Sequence, residues 1–268
     1  MTDQAARKGQ VWKLVLAYDG TEFHGWQVQP QRATIQGELG AAIERVTGED
    51  VLPQGSGRTD AGVHAEGQVA SFSLAAPIPE GNLVRALNRT LPASIRVLTA
   101  QHAPEGFHAR HSAKGKIYEY RIFRGEICPP SLARYVYQLN HPLDFERMQQ
   151  AAGRVVGEHD FTSFTASDPD RTESGSKSPD NRRTISSSEW IRGRASSPYL
   201  DDTDLLTYRV RGNGFLHHMV RNLVGTFLEV GRGNLGDEEI CRILGERARA
   251  SAGPTAPARG LFLIRVDY

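Results

Sequence analysis

Long hydrophobic runs are what this sequence lacks first. None of its 268 residues belongs to an apolar stretch near the roughly 18 that a membrane span requires. The opening Met1-Thr2-Asp3-Gln4-Ala5-Ala6-Arg7-Lys8 carries no apolar core of a secretion signal, which predicts a cytoplasmic protein. Cysteine is scarce as well. Cys128 and Cys241 stand far apart with no CxxC or other metal spacing, so a disulfide scaffold is excluded and both read as ordinary buried thiols in a reducing compartment. Charge of one sign is missing too: 32 basic against 31 acidic side chains leave a net +1, and the chain as a whole does not announce a polyanionic partner.

Several catalytic signatures are absent. A phosphate-binding loop needs GxxxxGK[ST], but Lys116 after Gly115 is followed by Ile117. Gly55-Ser56-Gly57-Arg58-Thr59-Asp60 and Gly212-Asn213-Gly214-Phe215-Leu216-His217 both begin like a dinucleotide fingerprint and both lack its third glycine. Ser56 is no nucleophile elbow, because GxSxG would require glycine where Gln54 stands. His217 and His218, placed by their periodicity on a long helix, would point about 100° apart there and so could not share a metal as an i, i+4 pair does.

What is present is an ordinary folding chain, 39% hydrophobic and 24% charged, large enough to bury a core without a metal or disulfide. Charge is distributed unevenly. Between Arg58 and Arg124 nine basic side chains face five acidic ones, and Phe107, Tyr118, Tyr120 and Phe123 are interleaved with them and with four histidines. That alternation suits a nucleic-acid groove, although solvated strand faces share it.

Periodicity supplies the elements. Trp12 to Tyr18 predicts a strand with Trp12, Leu14, Leu16 and Tyr18 on one face, followed by a loop holding Phe23, His24 and Trp26. Ile35, Leu39, Ile43 and Val46 recur at helical spacing between a Thr34 cap and a Gly48 stop. Strands over Gln68–Ser73 and Ile95–His102 flank a helix over Gly81–Arg89, a βαββαβ-like order. Later come a strand over Ile117–Phe123, a helix over Phe145–Val156, and strands over Thr184–Arg192 and Leu205–Arg211. A longer helix then carries Phe215, Met219, Leu223, Phe227 and Val230 to Gly231, before a last helix over Asp237–Arg249 and a strand over Leu261–Tyr268. The expected architecture is α+β: a tail of residues 1–10, an N-terminal half over 11–108 and a C-terminal half over 109–268, joined between about 104 and 116. Residues 166–182, rich in Ser, Asp and Pro, read as a mobile loop whose Lys177, with Arg182 and Arg183, could reach a phosphate backbone.

One segment stands out, Gly55-Ser56-Gly57-Arg58-Thr59-Asp60-Ala61-Gly62-Val63-His64. Its glycines allow a tight turn and a close approach to a ligand, with Asp60 at the tip and Arg58 nearby to favour an ionised carboxylate that can act as nucleophile or base. An Asp-containing turn before a strand accounts for the same residues equally well.

The segment closely resembles the motif of the TruA-type tRNA pseudouridine synthases, in which GRTDAGVHA holds the catalytic aspartate. Five further blocks resemble that family in the same order. They are Tyr18-Asp19-Gly20-Thr21 with Gly25-Trp26-Gln27, Phe107-His108-Ala109-Arg110 with Tyr118-Glu119-Tyr120, His159 to Phe164, Phe215 to Asn222, and Thr255 to Leu261. The resemblance implies two ferredoxin-like halves related by pseudo-symmetry, forming a largely antiparallel continuous sheet with helices on one side and an RNA-binding cleft on the other. It also implies a homodimer, the tRNA anticodon arm as partner, no cofactor and no metal, and isomerisation of uridine at tRNA positions 38, 39 and 40.

Carried over by motif, Asp60 would be the nucleophile, Tyr118 would stack on the extruded uracil, and Arg221 would pair with Asp60 and keep it charged. Leu261 would form an apolar wall and Arg58 would approach the backbone of the flipped nucleotide. Three departures from the family pattern touch the tRNA edge: the hydrophilic Ala166–Ser178, extra residues within Lys177–Arg183, and His111 where an aromatic is more usual. A catalytically silent RNA-binding relative would have little reason to keep Asp60, Tyr118 and Arg221 together, and a nucleoside hydrolase would want a second carboxylate in the motif.

Overall fold

The computed structural model describes residues 9–166, 180–193 and 205–268. The chain divides into two units, Met1–Lys114 with Leu263–Tyr268, and Gly115–Phe262. Residues 167–179 of the expected mobile loop, Lys177 among them, lie outside the described residues.

In the first unit, alternation makes β1 (Gln10–Tyr18) a half-buried strand, with Trp12, Leu14, Leu16 and Tyr18 in the core as their spacing predicts. Helix α1 (Ile35–Thr47) starts where the Thr34 hydroxyl accepts from Gly37 N–H at 3.3 Å and stops at Gly48, whose φ of 74° suits glycine alone at little cost. A two-residue strand, β2 (Gln54–Gly55), precedes β3 (His64–Leu74), and α2 (Glu80–Thr90) leads to β4 (Ile95–His102). Strand β1 lies antiparallel between β3 and β4, with Trp12 opposite Phe72 and His102, and β2 pairs with β3. This is the βαββαβ order read from the sequence, with β3 longer than foreseen and β2 unforeseen, since two residues carry no periodicity.

In the second unit, β5 (Gly115–Phe123) is followed by a single turn, α3 (Pro130–Ala133), and by β6 (Tyr137–Gln138), which runs parallel to β5. Helix α4 (Phe145–Gly153) is capped by Asp144, which accepts from Arg147 N–H at 3.0 Å. Then come β7 (Gly157–Asp160), β8 (Arg182–Gly193), β9 (Leu205–Gly212), α5 (Met219–Gly231) and α6 (Glu239–Glu246). The sheet order is β5-β9-β8-β7 with antiparallel neighbours throughout. Trp190, Tyr208 and Phe227 meet in its core, Tyr208 and Phe227 at 5.3 Å between ring centres. Each such ring removed from water stabilises by about 1.5–3 kcal/mol. Strand β10 (Leu261–Asp267) closes the chain and, from Leu263 on, belongs to the first unit, beside β3. The fold is therefore mixed α+β with largely antiparallel strands, as expected.

Three local expectations are corrected. Helix α5 begins at Met219 rather than at Phe215, because His218 adopts a left-handed conformation with φ 59° that a continuing helix does not admit. Helix α6 ends at Glu246 for the same reason, Arg247 having φ 51°. The cysteines are not buried: Cys128 is half-buried and Cys241 exposed, one position round α6 from the inward Ile240. Among the described residues no helix is long and apolar enough to cross a membrane.

Candidate active site

Asp60 sits on a turn that the first unit holds from several directions. The Asp60 carbonyl accepts from Val63 N–H at 3.1 Å, and Gly62 takes the positive φ of 78° that such a turn needs in its third position. Upstream, Thr59 is buried: its carbonyl accepts from Trp26 N–H at 3.0 Å and its hydroxyl meets Tyr18 Oη at 2.9 Å. Gln68, fully buried on β3, donates to the Gly57 carbonyl at 3.0 Å while its Oε1 accepts from the Ser56 hydroxyl at 2.7 Å. Burial pushes the Tyr18 phenol up to about 12, against the pull of its bonds to Thr59 and Gln68, so the hydroxyl stays protonated and remains a donor.

Two glycines let the surrounding chain close on this turn. A β-carbon at Gly25, where φ is 85°, would come 2.5 Å from the Thr59 carbonyl oxygen, and one at Gly55 would come 2.5 Å from the Trp26 ring. Both contacts are shorter than a side chain tolerates, so backbone and indole approach only because these positions are bare. Asp60 itself is half-buried, while Arg58 on the same turn is exposed, with its Nε 3.3 Å from Gln27 Oε1.

The remaining predicted residues stand in the second unit. Tyr118, on β5, is buried with its ring edge-to-face against Phe215 at 5.1 Å. Arg221, in the first turn of α5, is half-buried; its Nε donates to the Ala256 carbonyl at 2.8 Å, and Ala256 N–H returns a bond to the Arg221 carbonyl at 3.1 Å. Tyr120 donates to the next carbonyl, Pro257, at 2.8 Å. Burial raises the pKa of that phenol, opposed by the nearby Arg221 and Arg259 guanidiniums. A short 3₁₀ turn over Ala258–Gly260 then delivers the buried Leu261. One segment, 256–261, thus receives Arg221 and Tyr120 and carries Leu261. His217 and His218 precede the helix instead of lying on it, and their rings lie tilted by 36° with centres 4.0 Å apart, so the 100° separation expected of them does not apply.

The motifs assign no role to Thr59, Tyr18 or Gln68, whose side chains hold the Asp60 turn. Their signal would have been polar side chains at positions whose neighbours demand burial, such as Gln68 within a buried strand.

A family model described as tRNA pseudouridine synthase matches residues 14–112 and 151–268. The chain belongs to the tRNA pseudouridine synthase family and is an isomerase. Among its relatives, a tRNA pseudouridine synthase A from Solibacter usitatus is 51% identical over 257 residues, spanning 96% of this chain and 98% of its own. Its counterparts from Moorella thermoacetica and Acetivibrio thermocellus are 45% and 41% identical, each over 96% of this chain and 98% of theirs.

Proposed function

We propose that this isomerase converts uridine to pseudouridine at positions 38, 39 and 40 in the anticodon stem-loop of tRNAs, with Asp60 as the nucleophile. The observation that carries the reading is the Asp60 turn, a carboxylate on a backbone fixed by buried hydrogen bonds, in a chain whose relatives are named for this reaction. Reactions on a base need a fixed attacking group, since a small misplacement costs orders of magnitude in rate.

A uridine in a stem is first turned out of the stack. The carboxylate then attacks C1′ or C6, the C1′–N1 bond breaks, and the detached uracil rotates. C1′–C5 forms, the bond to Asp60 breaks and frees the carboxylate, C5 gives up its proton to solvent and N1 takes one, so atoms and charge balance without a cofactor. Tyr118 stacks on the extruded base, an interaction worth about 1–3 kcal/mol. Arg221 supplies the positive charge that favours the ionised carboxylate, Leu261 is an apolar wall, and Arg58 approaches the nucleotide backbone. The enzyme works in the cytoplasm as a homodimer.

Tritium release from tRNA labelled at uracil C5 tests the scheme, because only isomerisation replaces that hydrogen. Wild-type protein releases tritium and Asp60→Ala does not, while tRNA binding survives. Substantial release by Asp60→Ala would remove the nucleophile assignment, and mapping the product to sites outside 38–40 would remove the anticodon-arm assignment.

A further inference from the structure

The acceptor for Arg221 Nε is a backbone carbonyl, so the direction of that guanidinium depends on whatever fixes Ala256. The loop over residues 252–256 lies directly on α5. A β-carbon at Gly225 would come 1.6 Å from the Pro254 carbonyl oxygen, and one at Gly253 would come 2.8 Å from Thr226 Cα. Glycine inside a helix costs about 1 kcal/mol relative to alanine, and at Gly225 it makes room for the loop.

Side chains then fasten the loop in place. Gly253 N–H donates to the Thr226 hydroxyl at 2.9 Å, and the Thr255 hydroxyl donates to Asn222 Oδ1 at 2.6 Å. Asn222 is fully buried and also donates to the Phe164 carbonyl at 2.8 Å. Arg249 joins both sides. Its Nη1 donates to the Gly253 carbonyl at 2.9 Å and the Ala252 carbonyl at 3.3 Å, and its Nη2 to Asn222 Oδ1 at 3.1 Å and Thr255 Oγ1 at 3.0 Å. One planar guanidinium therefore fixes two loop carbonyls, a loop hydroxyl and the α5 residue next to Arg221, a fork that lysine cannot reproduce.

We propose that Arg249 is a positioning residue for the isomerisation, locking the 252–256 loop against α5 so that the Ala256 carbonyl holds Arg221 in one orientation. This rests on the reading that Arg221 serves the reaction. Arg249 acts through Arg221, so its loss slows turnover without weakening tRNA binding, and its effect disappears once Arg221 is gone.

The test is a double-mutant cycle on tritium release and tRNA affinity, using Arg249→Ala, Arg221→Ala and the double variant, each checked for folding by circular dichroism. Arg249→Ala is expected to lower kcat by about 10- to 100-fold with Kd for tRNA within about twofold, and to add nothing in the Arg221→Ala background. A full further drop in the double variant, or a folded Arg249→Ala turning over at the wild-type rate, overturns the proposal. If Arg249→Ala does not fold, Arg249→Lys and Thr255→Val replace it in the same cycle, and the same two results overturn the proposal. Wild-type turnover by Arg221→Ala removes the reading of Arg221 itself and the proposal with it, a result separable from the others because it appears in the single variant.

Discussion

The Tyr18 and Thr59 hydroxyls meet at 2.9 Å, out of solvent, one residue before Asp60. A buried pair of this kind is expensive to break from one side only, because the surviving hydroxyl keeps its desolvation penalty. Thr59→Val is therefore expected to destabilise the fold by about 1–3 kcal/mol in urea unfolding and to reduce kcat while leaving tRNA affinity near wild type. A larger loss in Kd than in kcat would show that the pair serves binding instead of holding the carboxylate.

Gly25 faces two penalties at once. Alanine there meets a left-handed φ of 85° and a backbone oxygen 2.5 Å away. The first costs about 1–2 kcal/mol and the second pushes Thr59 aside, so Gly25→Ala is expected to lower both Tm and turnover. Gly48→Ala is the control: it has a φ of 74° with open space around it and should lower Tm alone.

For Tyr118, replacement by leucine removes both the proposed base stack and the edge contact with Phe215. Loss of a stack worth about 1–3 kcal/mol corresponds to a fall in kcat/KM of roughly 5- to 150-fold. Tyr118→Phe keeps the ring and should retain most of the rate, which steady-state tritium release can measure.

Acid reveals a different residue. Burial raises the Asp160 carboxyl, but hydrogen bonds from Thr162 and the Arg247 and Arg182 guanidiniums outweigh it and leave the pKa below its ordinary 3.8. A depressed carboxylate stabilises the fold above its unfolded pKa and loses that contribution as pH falls through the folded value. Wild type should therefore exceed Asp160→Asn in stability at neutral pH, with the gap narrowing below about pH 4. Urea titrations of both proteins across that range check the sign.

How much of this was legible in the chain differs by element. Strand β1 was plain because its alternation is uninterrupted, and α1 because Thr34 and Gly48 mark its ends with their own chemistry. The start of α5 was not, since Phe215 fits the helical period and only the left-handed backbone of His218 excludes it. The glycines around Asp60 fit an ordinary turn equally well, and its proposed role came from the resemblance. Gln68 and Arg249 could not be found, because their partners lie up to 50 residues away and become neighbours only through folding. A motif marks the positions of Tyr18, Thr59, Asn222 and Thr255 without telling which bonds they make, and Gln68 and Arg249 stand outside every motif block.

Strand β10 gives the first unit an unusual history. Asp267 accepts from Lys114 N–H at 2.8 Å and Tyr268 donates to the Ala109 carbonyl at 2.7 Å, so residues as much as 159 positions apart close the same unit. On a ribosome adding about 5–20 residues per second, the stretch 115–262 intervenes for on the order of ten seconds before those residues exist. Throughout that interval β3 lacks its β10 neighbour, and the edge that β2 does not cover is open to any chain nearby. The half of the enzyme that is made first is thus the half that finishes last.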